Sequence, residues 1–424
     1  MRILMVSEDL PALTMGGLAK HVLTLCKALQ QQGHVVDLMG NKENWPLDFD
    51  SKNYFSRFYP DLTSHNLGWK EIPLGLFNPL KRTYTAKRYA HAIKRRTNLY
   101  DVIHYHGHHP NVAKFIPREI NFIQTRHDQG SECLIHVRYK NERICHALAA
   151  KVCATCRTSH PNWLQEQISA FAVKRFRSEV QQGFKKHKTV FVSDFLQTKL
   201  HNCFGSGVWG LTLHNFIDSR DLQQAQIQAQ LQAQQHTLKV ALSDDKKLLK
   251  VFVAAKLYAA KGVQEFLSAI SEKRLNHIQL DIAGDGELEQ RLKQRYQSIT
   301  TCFHGWQSAS NVLAFVMQAD VIVVPSLCEE ACPTTVLEGL ACGKTVFALA
   351  RGGTTELVIY EKFPHQLKLF PTMSSLATEL ALFQPSSHSA IARYRYPDVS
   401  YIAESLIKLY QLPPGRITDQ TCLS

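Results

Sequence analysis

A chain of 424 residues with 45% hydrophobic and 20% charged side chains is long enough for two cores and too apolar to remain disordered. No apolar run approaches a membrane span, Met1–Val6 turns polar at Ser7 before a signal-peptide core can form, and eleven cysteines without a secretory signal point to a reducing, cytoplasmic location. The net charge of +13 lies in the first half: residues 1–216 hold 29 Lys+Arg against 16 Asp+Glu, and residues 217–424 hold 20 of each. That asymmetry suits an acidic partner for the first half, whether a phosphate-bearing acceptor, an anionic membrane surface or nucleic acid.

Arg2 to Ser7 reads as a first strand, and Leu18 to Gln31 as an amphipathic helix with Val22, Leu25, Cys26 and Leu29 on one face. Between them, Gly16-Gly17 allows close backbone approach to an anion, although a bare glycine-rich turn is more often just a turn. His21 reads as a structural helix residue, and Val35 to Met39 as the second strand. Lys81, Arg88 and Arg95 recur every seven residues and make one basic helix face. Such a face is either simply solvated or leans on anionic headgroups or an anionic acceptor. Asp101 to His109 is a strand and its exit; His104 and His106 share a side, but no neighbouring carboxylate or cysteine completes a metal site. Phe122 to Asp128 is a further strand ending in the polar pair His127-Asp128. Cys153-Ala-Thr-Cys156 has metal-ligand spacing, and Cys133 and Cys145 upstream could close a tetrahedral zinc site. Burial of the four thiols as small apolar groups is the alternative. Lys174, Arg175, Arg177, Lys185, Lys186 and Lys188 form a second basic stretch, and Thr189 to Ser193 another strand.

In the second half, Gln223 to Gln235 is a Gln/Ala-rich stretch of helical propensity. Leu249 to Leu257 and Leu280 to Gly286 read as strands with polar or glycine-rich exits carrying Lys256 and Lys261-Gly262. Val321 to Val324 is a buried strand stopped by Pro325; Pro333 leads into Thr334 and Thr335, N-cap candidates for a helix to Ala341. Gly343 suits a left-handed cap, Thr345 to Leu349 is the next strand, and Gly352-Gly353 precedes a helix start near Thr354, Thr355 and Glu356. Taken alone, Thr335 to Glu338 fits a capping box, in which Glu338 only satisfies its own helix. Glu330, with a helix N-terminus between it and Glu338, adds another reading: helix N–H groups hold a phosphate and the carboxylates accept from sugar hydroxyls. Tyr401 to Leu412 is an amphipathic helix. Alternating strands and helices imply an α/β chain of parallel, doubly wound sheets, with ligands at the strands' carboxyl ends.

Glu330…Glu338, Gly343 and Gly352-Gly353-Thr-Thr-Glu356 together resemble the signature of the GT4-like group of GT-B glycosyltransferases. Gly16-Gly17-x-x-x-His21-Val, Asp101-Val-x-His-x-His106 and His127-Asp128 match that family's first domain in the correct order. Asn215-Phe-Ile-Asp218 stands where the family has Asn-Gly-x-Asp, with Phe216 for the glycine; Lys256 stands for its arginine and loses the bidentate fork. The resemblance implies two Rossmann-like domains facing across a cleft. An acceptor-binding domain would span 1–216, with the C-terminal helix 396–424 packed back on it, and a donor-binding domain 217–395.

It further implies a retaining glycosyltransferase taking a hexose-type sugar from a UDP- or GDP-sugar to a glycan or glycolipid, in bacterial surface polysaccharide or lipopolysaccharide synthesis. The catalytic set would be His127, Lys256, Lys261 and Glu330, with His127 hydrogen-bonding the donor sugar. Donor binding would use Gly16, Gly17, Lys256, Lys261, Glu330, Ala331, Cys332, Pro333, Thr334 and Glu338, the last on the ribose, and His304-Gly305-Trp306 would hold the base. No catalytic metal or cofactor is required, and the histidines of the Asp-Val-x-His-x-His motif would bind none. Some family members carry a comparable cysteine set. The expected setting is cytoplasmic, peripheral to an anionic inner membrane through the basic half, without nucleic acid. Alternatives are a nucleotide-sugar epimerase or hydrolase on the same fold, or a basic nucleic-acid-binding protein, for which no reading motif is present.

Overall fold

The computed structural model describes residues 1–10, 16–41, 51–62, 71–156, 162–205, 208, 210–227, 248–296, 300–385 and 396–415. The chain divides into two units, Met1–Lys140 with Cys145–His214 and Val399–Ser424, and Asn141–Ile144 with Asn215–Asp398.

The first unit is built on seven strands: β1 (Arg2–Val6), β2 (Val35–Met39), β3 (Phe58–Tyr59), β4 (Val102–Tyr105), β5 (Phe122–Arg126), β6 (Lys188–Phe191) and β7 (Leu211–Thr212). All pair in parallel, in the order β3-β2-β1-β4-β5-β6-β7. Their apolar runs are buried without alternation, Ile3 to Val6 being wholly inaccessible, as expected where helices cover both faces. The order reverses between β1 and β4, and a parallel sheet leaves a crevice for ligands outside such a reversal. The exits of β1 and β4 meet there, His106 N–H bonding Val6 O at 2.8 Å and His108 N–H bonding Glu8 Oε1 at 2.6 Å.

The second unit repeats the plan with β8 (Leu249–Ala254), β9 (Ile278–Ala283), β10 (Thr301–Phe303), β11 (Val321–Val324), β12 (Thr345–Leu349) and β13 (Leu367–Phe370). These six parallel strands run β10-β9-β8-β11-β12-β13, so the reversal falls between β8 and β11. Val251, Val253, Phe266, Leu280, Val323 and Phe347 are central to its core.

Several elements are shorter than their apolar runs suggest. β8 and β9 stop at Ala254 and Ala283, and the residues beyond form the exit loops. β6 ends at Phe191, because Ser193 instead caps the helix Asp194–Phe204, its hydroxyl accepting from Leu196 N–H. Of the Gln-rich stretch, residues 223–227 are helical and the remainder lies outside the described residues.

The second basic stretch is largely structural. Arg175 bonds Thr83, Arg177 donates to the carbonyls of Glu132 and Leu148, and Lys186 to those of Lys114 and Ile116. Lys174 and Lys185 stay exposed.

Lys188 is 2% exposed and explains how the C-terminal helix Val399–Gln411 attaches to the first unit. Its ammonium donates to Leu412 O at 2.6 Å, Leu409 O at 3.2 Å and Asn121 Oδ1 at 2.8 Å. A buried cation there satisfies carbonyls that a helix C-terminus leaves without partners and complements the negative end of its dipole. His104 adds a second tie, bonding Tyr410 Oη at 2.6 Å and Thr125 Oγ1 at 2.7 Å. Lys188→Met should therefore cost about 3 kcal/mol in denaturant unfolding and open the segment around Val399 to limited proteolysis. Unchanged stability and protection would show that packing alone holds the helix.

Glu132 is 1% exposed, neither of its carboxylate oxygens has a hydrogen-bond partner among the described residues, and Arg138 Nη1 lies 3.8 Å away. Burial pushes this carboxyl up to about 7, against the lowering pull of Arg138. The folded state thus holds a proton that the unfolded state releases near 4.5, so the stability this adds is full below that pH and disappears as pH rises through about 7. Glu132→Gln should leave stability near wild type at pH 5 and exceed it at pH 8, by an amount on the order of 3 kcal/mol at most. A pH-independent difference between the two proteins would refute the assignment.

Candidate active site

The exits of β8 and β11 converge at the reversal of the second sheet. Beyond β8 the chain makes a single 3-10 turn, Ala259–Lys261, and Ala260 O accepts from Leu327 N–H and Cys328 N–H of the β11 exit, both at 3.0 Å. Gly262 follows with φ +68°, and a Cβ there would come within 2.1 Å of Pro325 O, so only glycine lets the turn seat against that exit. The seating brings Lys261 Nζ to 2.5 Å from Glu330 Oε1, and Ser326 Oγ donates to the same oxygen at 2.5 Å. Burial pushes the Glu330 carboxyl up, but the Lys261 ammonium and the Ser326 hydroxyl outweigh it and hold the group below the usual carboxylate range. Burial likewise pulls Lys261 down, and the carboxylate overcomes it, holding the ammonium above the usual lysine range. Both groups are charged, as a locked pair.

Glu330 is held from its backbone as well. Gly353 N–H bonds Glu330 O at 2.8 Å, and Gly352, at φ +56°, passes so close that a Cβ would lie 2.4 Å from that oxygen. Gly352 is thus required by the approach of two loops, and a 3-10 helix, Gly353–Tyr360, begins after it. Asn215 fixes the next residues, its side chain donating to Cys332 O at 2.7 Å and its N–H to Cys332 Sγ at 3.3 Å.

The helix Thr334–Ala341 has Pro333 at its N-cap, and no described side chain caps it. The expected threonine caps and capping box are therefore absent: Thr334 and Thr335 already lie in the first turn, which puts Glu338 two residues past the position from which a capping box reaches back. Glu338 is 5% exposed inside this helix, and the first-turn N–H groups carry no acidic side chain. Ala331 is half-buried beside them, and Lys256 is exposed. Gly343 takes φ +71° just past the helix, as its glycine suggests. His304, at the end of β10, bonds Asp281 Oδ1 at 2.7 Å and packs on Phe315.

At the reversal of the first sheet, histidines gather. His106 Nδ1 lies 3.0 Å from His127 Nε2, and the His21 ring meets that of His127 edge-on at 4.6 Å. His21 is therefore part of the cluster, which its place in a helix did not reveal. Burial first, then the neighbouring His21 and Arg126 charges, hold His127 well below the ordinary histidine range, so it is neutral. Next to it, His108 bonds Asp9 Oδ2 at 2.9 Å and Asp128 Oδ2 at 3.3 Å, and His136 Nδ1 is 3.3 Å from the same Asp128 oxygen. Burial lowers His108, yet its carboxylate partners raise it to about 10. Sequence proximity hid these carboxylates, because Asp9 and Asp128 arrive from the exits of other strands. Gly16 caps the helix Gly17–Gln31 with φ −78°, and no described atom lies within 4 Å of a Cβ built at Gly16 or Gly17. Nothing within the described fold demands glycine at either position.

Cys133, Cys145, Cys153 and Cys156 line one small cavity with Arg138 and Arg177. Among the described residues, the groups whose metal-ligand atoms all fall within 4.8 Å are His21/His106/His127, His108/Asp128/His136 and Asp281/Cys302/His304. The four sulfurs form no such group; Arg177 Nη2 stands 3.3 Å from Cys153 Sγ, and burial pushes the Cys133 thiol up to about 12. As placed, the set does not fit a tetrahedral zinc.

Residues 15–218 match the model of Glycosyltransferase Family 4, and residues 234–377 that of Glycosyl transferases group 1. Over 119 residues the chain is 30% identical to the lipopolysaccharide 1,2-N-acetylglucosaminetransferase of Salmonella typhimurium, covering 25% of this chain and 31% of that protein. The match thus spans under a third of the relative's length. Sucrose-phosphate synthase of Thermosynechococcus elongatus superposes with a TM-score of 0.63 at 18% identity, over 97% of this chain and 98% of that one. HepE of Anabaena, in complex with UDP and glucose, does so at 0.56 and 16% identity, over 97% and 100%. With one family model ending at residue 218 and the other beginning at residue 234, either side of a boundary close to the division between the two units, the chain belongs to the GT4-like glycosyltransferases of GT-B fold.

Proposed function

We propose that this glycosyltransferase is a retaining enzyme that moves a hexose-type sugar from a UDP- or GDP-sugar to a glycan or glycolipid of bacterial surface polysaccharide or lipopolysaccharide. The observation that carries the donor assignment is the Lys261–Glu330 pair at the reversal of the second sheet, beside the uncapped start of the helix Thr334–Ala341. Lys261, with exposed Lys256 and the helix N–H groups, would stabilise negative charge growing on a departing nucleoside diphosphate, the fixed-charge contribution that is usually a large part of such catalysis. Glu330 would accept from hydroxyls of the transferred sugar while holding Lys261 in place. Glu338 is assigned to the ribose, and Ala331 to Thr334 supply the backbone between the two carboxylates. Gly16, Gly17 and His127 are assigned to the donor by resemblance alone, although the unneeded glycines support close approach by a ligand. The complex of HepE with UDP and glucose supports a nucleotide-sugar donor, and the Salmonella relative supports a lipopolysaccharide acceptor.

The test is a thermal-shift screen against UDP, GDP and their sugars, with Lys261→Met and Glu338→Gln alongside wild type. Binding at a hundredfold excess over Kd should stabilise wild type by about 2.7 kcal/mol, seen as a rise of several degrees with one nucleotide family. Both variants should lose most of that rise. Equal shifts in wild type and both variants would place the nucleotide elsewhere.

A further inference from the structure

Three groups of metal-ligand atoms converge among the described residues, and two of them hold contacts that need no ion. His106 Nδ1 stands 3.0 Å from His127 Nε2, and His304 Nε2 stands 2.7 Å from Asp281 Oδ1, both ordinary hydrogen-bond distances. The third group, His108, Asp128 and His136, is spaced differently. Asp128 Oδ2 lies 3.3 Å from His108 Nδ1 and 3.3 Å from His136 Nδ1, just beyond the usual N–H···O range. With zinc bonds of about 2.0–2.1 Å, neighbouring ligands of a tetrahedron stand about 3.3 Å apart. The two separations therefore fit the edges of a zinc-sized tetrahedron.

Each ligand is aimed by contacts behind it. The backbone N–H of His108 is fixed by Glu8 Oε1 at 2.6 Å, and its ring Nε2 lies 2.9 Å from Asp9 Oδ2, which turns Nδ1 toward Asp128. A carboxylate on the far nitrogen is the common support of a metal-binding imidazole, because it fixes both tautomer and ring orientation. Asp128 Oδ1 accepts from Gly130 N–H at 2.7 Å, so Oδ2 is the oxygen presented to the two histidines. His136 takes φ +63°, an uncommon conformation for a residue with a side chain. A Cβ at Gly130 would lie 2.2 Å from His136 Nδ1, so glycine is what lets that ring approach. All of these residues belong to the first unit, and His108 lies outside the Asp-Val-x-His-x-His motif, which ends at His106.

We propose that His108, Asp128 and His136 bind a divalent transition metal of the zinc type, with Asp9 as the outer carboxylate that orients His108. Two imidazoles and one carboxylate suit zinc, whereas magnesium and calcium favour sets made of oxygen alone. His108, Gly130 and His136 also line a cavity of about 350 Å³, which has room for a water as the fourth ligand. The ion takes the place of the proton between His108 and Asp128, so its binding releases a proton. Its role is a clamp: it ties the exits of β4 and β5 to the loop that carries His136, and through Asp9 to the exit of β1. The donor assignment in the second unit plays no part in this.

Metal binding to the full-length protein tests the proposal. Protein stripped with a chelator is titrated with zinc or cobalt(II), and affinity is read by competition with a chromophoric chelator. Wild type should bind zinc in preference to magnesium and calcium, melt several degrees higher with it, and give the intense visible bands of four-coordinate cobalt(II). His136→Asn, which keeps a side chain that tolerates left-handed backbone, should lower zinc affinity about a hundredfold, and Asp9→Asn about tenfold. Melting in chelator reports whether each variant is folded, and Asp9→Asn leaves all three ligands in place. Cys153→Ser/Cys156→Ser should bind zinc as wild type does. Failure of wild type to bind zinc or cobalt(II) would overturn the proposal, as would affinity unchanged in His136→Asn. Loss of zinc from the cysteine variant alone would overturn it too, by assigning the ion to the cysteine cavity.

Discussion

Much of the second unit's ligand edge depends on one ion pair, Lys261 with Glu330. Two opposite charges that are each largely withdrawn from water are costly unless they meet and their remaining hydrogen-bond capacity is used. Here the cost is offset by geometry that the backbone dictates: Gly262 lets the lysine turn seat on the β11 exit, and Gly352 lets a second loop close over Glu330. Ser326 donates to the carboxylate from the same exit. Removing either charge would strand the other, so the pair fixes three loops at once. Fixed charge at a sheet reversal is what a phosphate-bearing ligand requires, because nothing then needs to reorganise as charge moves.

The first unit uses its polar residues differently. Its histidines at the sheet reversal divide into a group of His21, His106 and His127, in which burial holds His106 and His127 neutral, and a second in which Asp9 and Asp128 clamp a charged His108. His106 and His108 lie two residues apart on one strand exit, and their environments separate them. His104, one more member of the same sequence run, packs its ring on that of His106 at 4.0 Å and anchors the C-terminal helix through Tyr410. The surplus of positive charge is similarly divided, with Lys188, Arg177 and Lys186 bonded to backbone carbonyls and Lys151, Lys174 and Lys185 exposed.

The parallel sheets were legible because buried strands such as Val321 to Val324 and Thr345 to Leu349 are uninterrupted apolar runs bounded by proline or glycine. That Glu330, Gly352 and Lys261 lie at strand exits was legible from the alternation of strands and polar loops, whereas their roles rested on the family resemblance, since a lone lysine or glutamate in a loop carries no pattern. Ser326 and Asn215 were not, since a lone serine or asparagine carries no pattern until the loop beside it is placed. Glu338 shows the opposite error: its spacing from Thr335 matches a capping box, but Pro333 starts the helix earlier, and the residue is buried in it instead. The cysteines share a cavity as their order suggests, while their sulfurs do not converge.

A double-mutant cycle at Lys261 and Glu330 tests the central claim most directly, with sugar transfer from the nucleotide donor as the readout. If the pair acts as one unit on the donor, Lys261→Met and Glu330→Gln should each lower kcat/KM by a factor on the order of 10² or more, and the double variant should be little worse than the poorer single one. Losses that multiply in the double variant, or a single variant within a few-fold of wild type, would contradict the account.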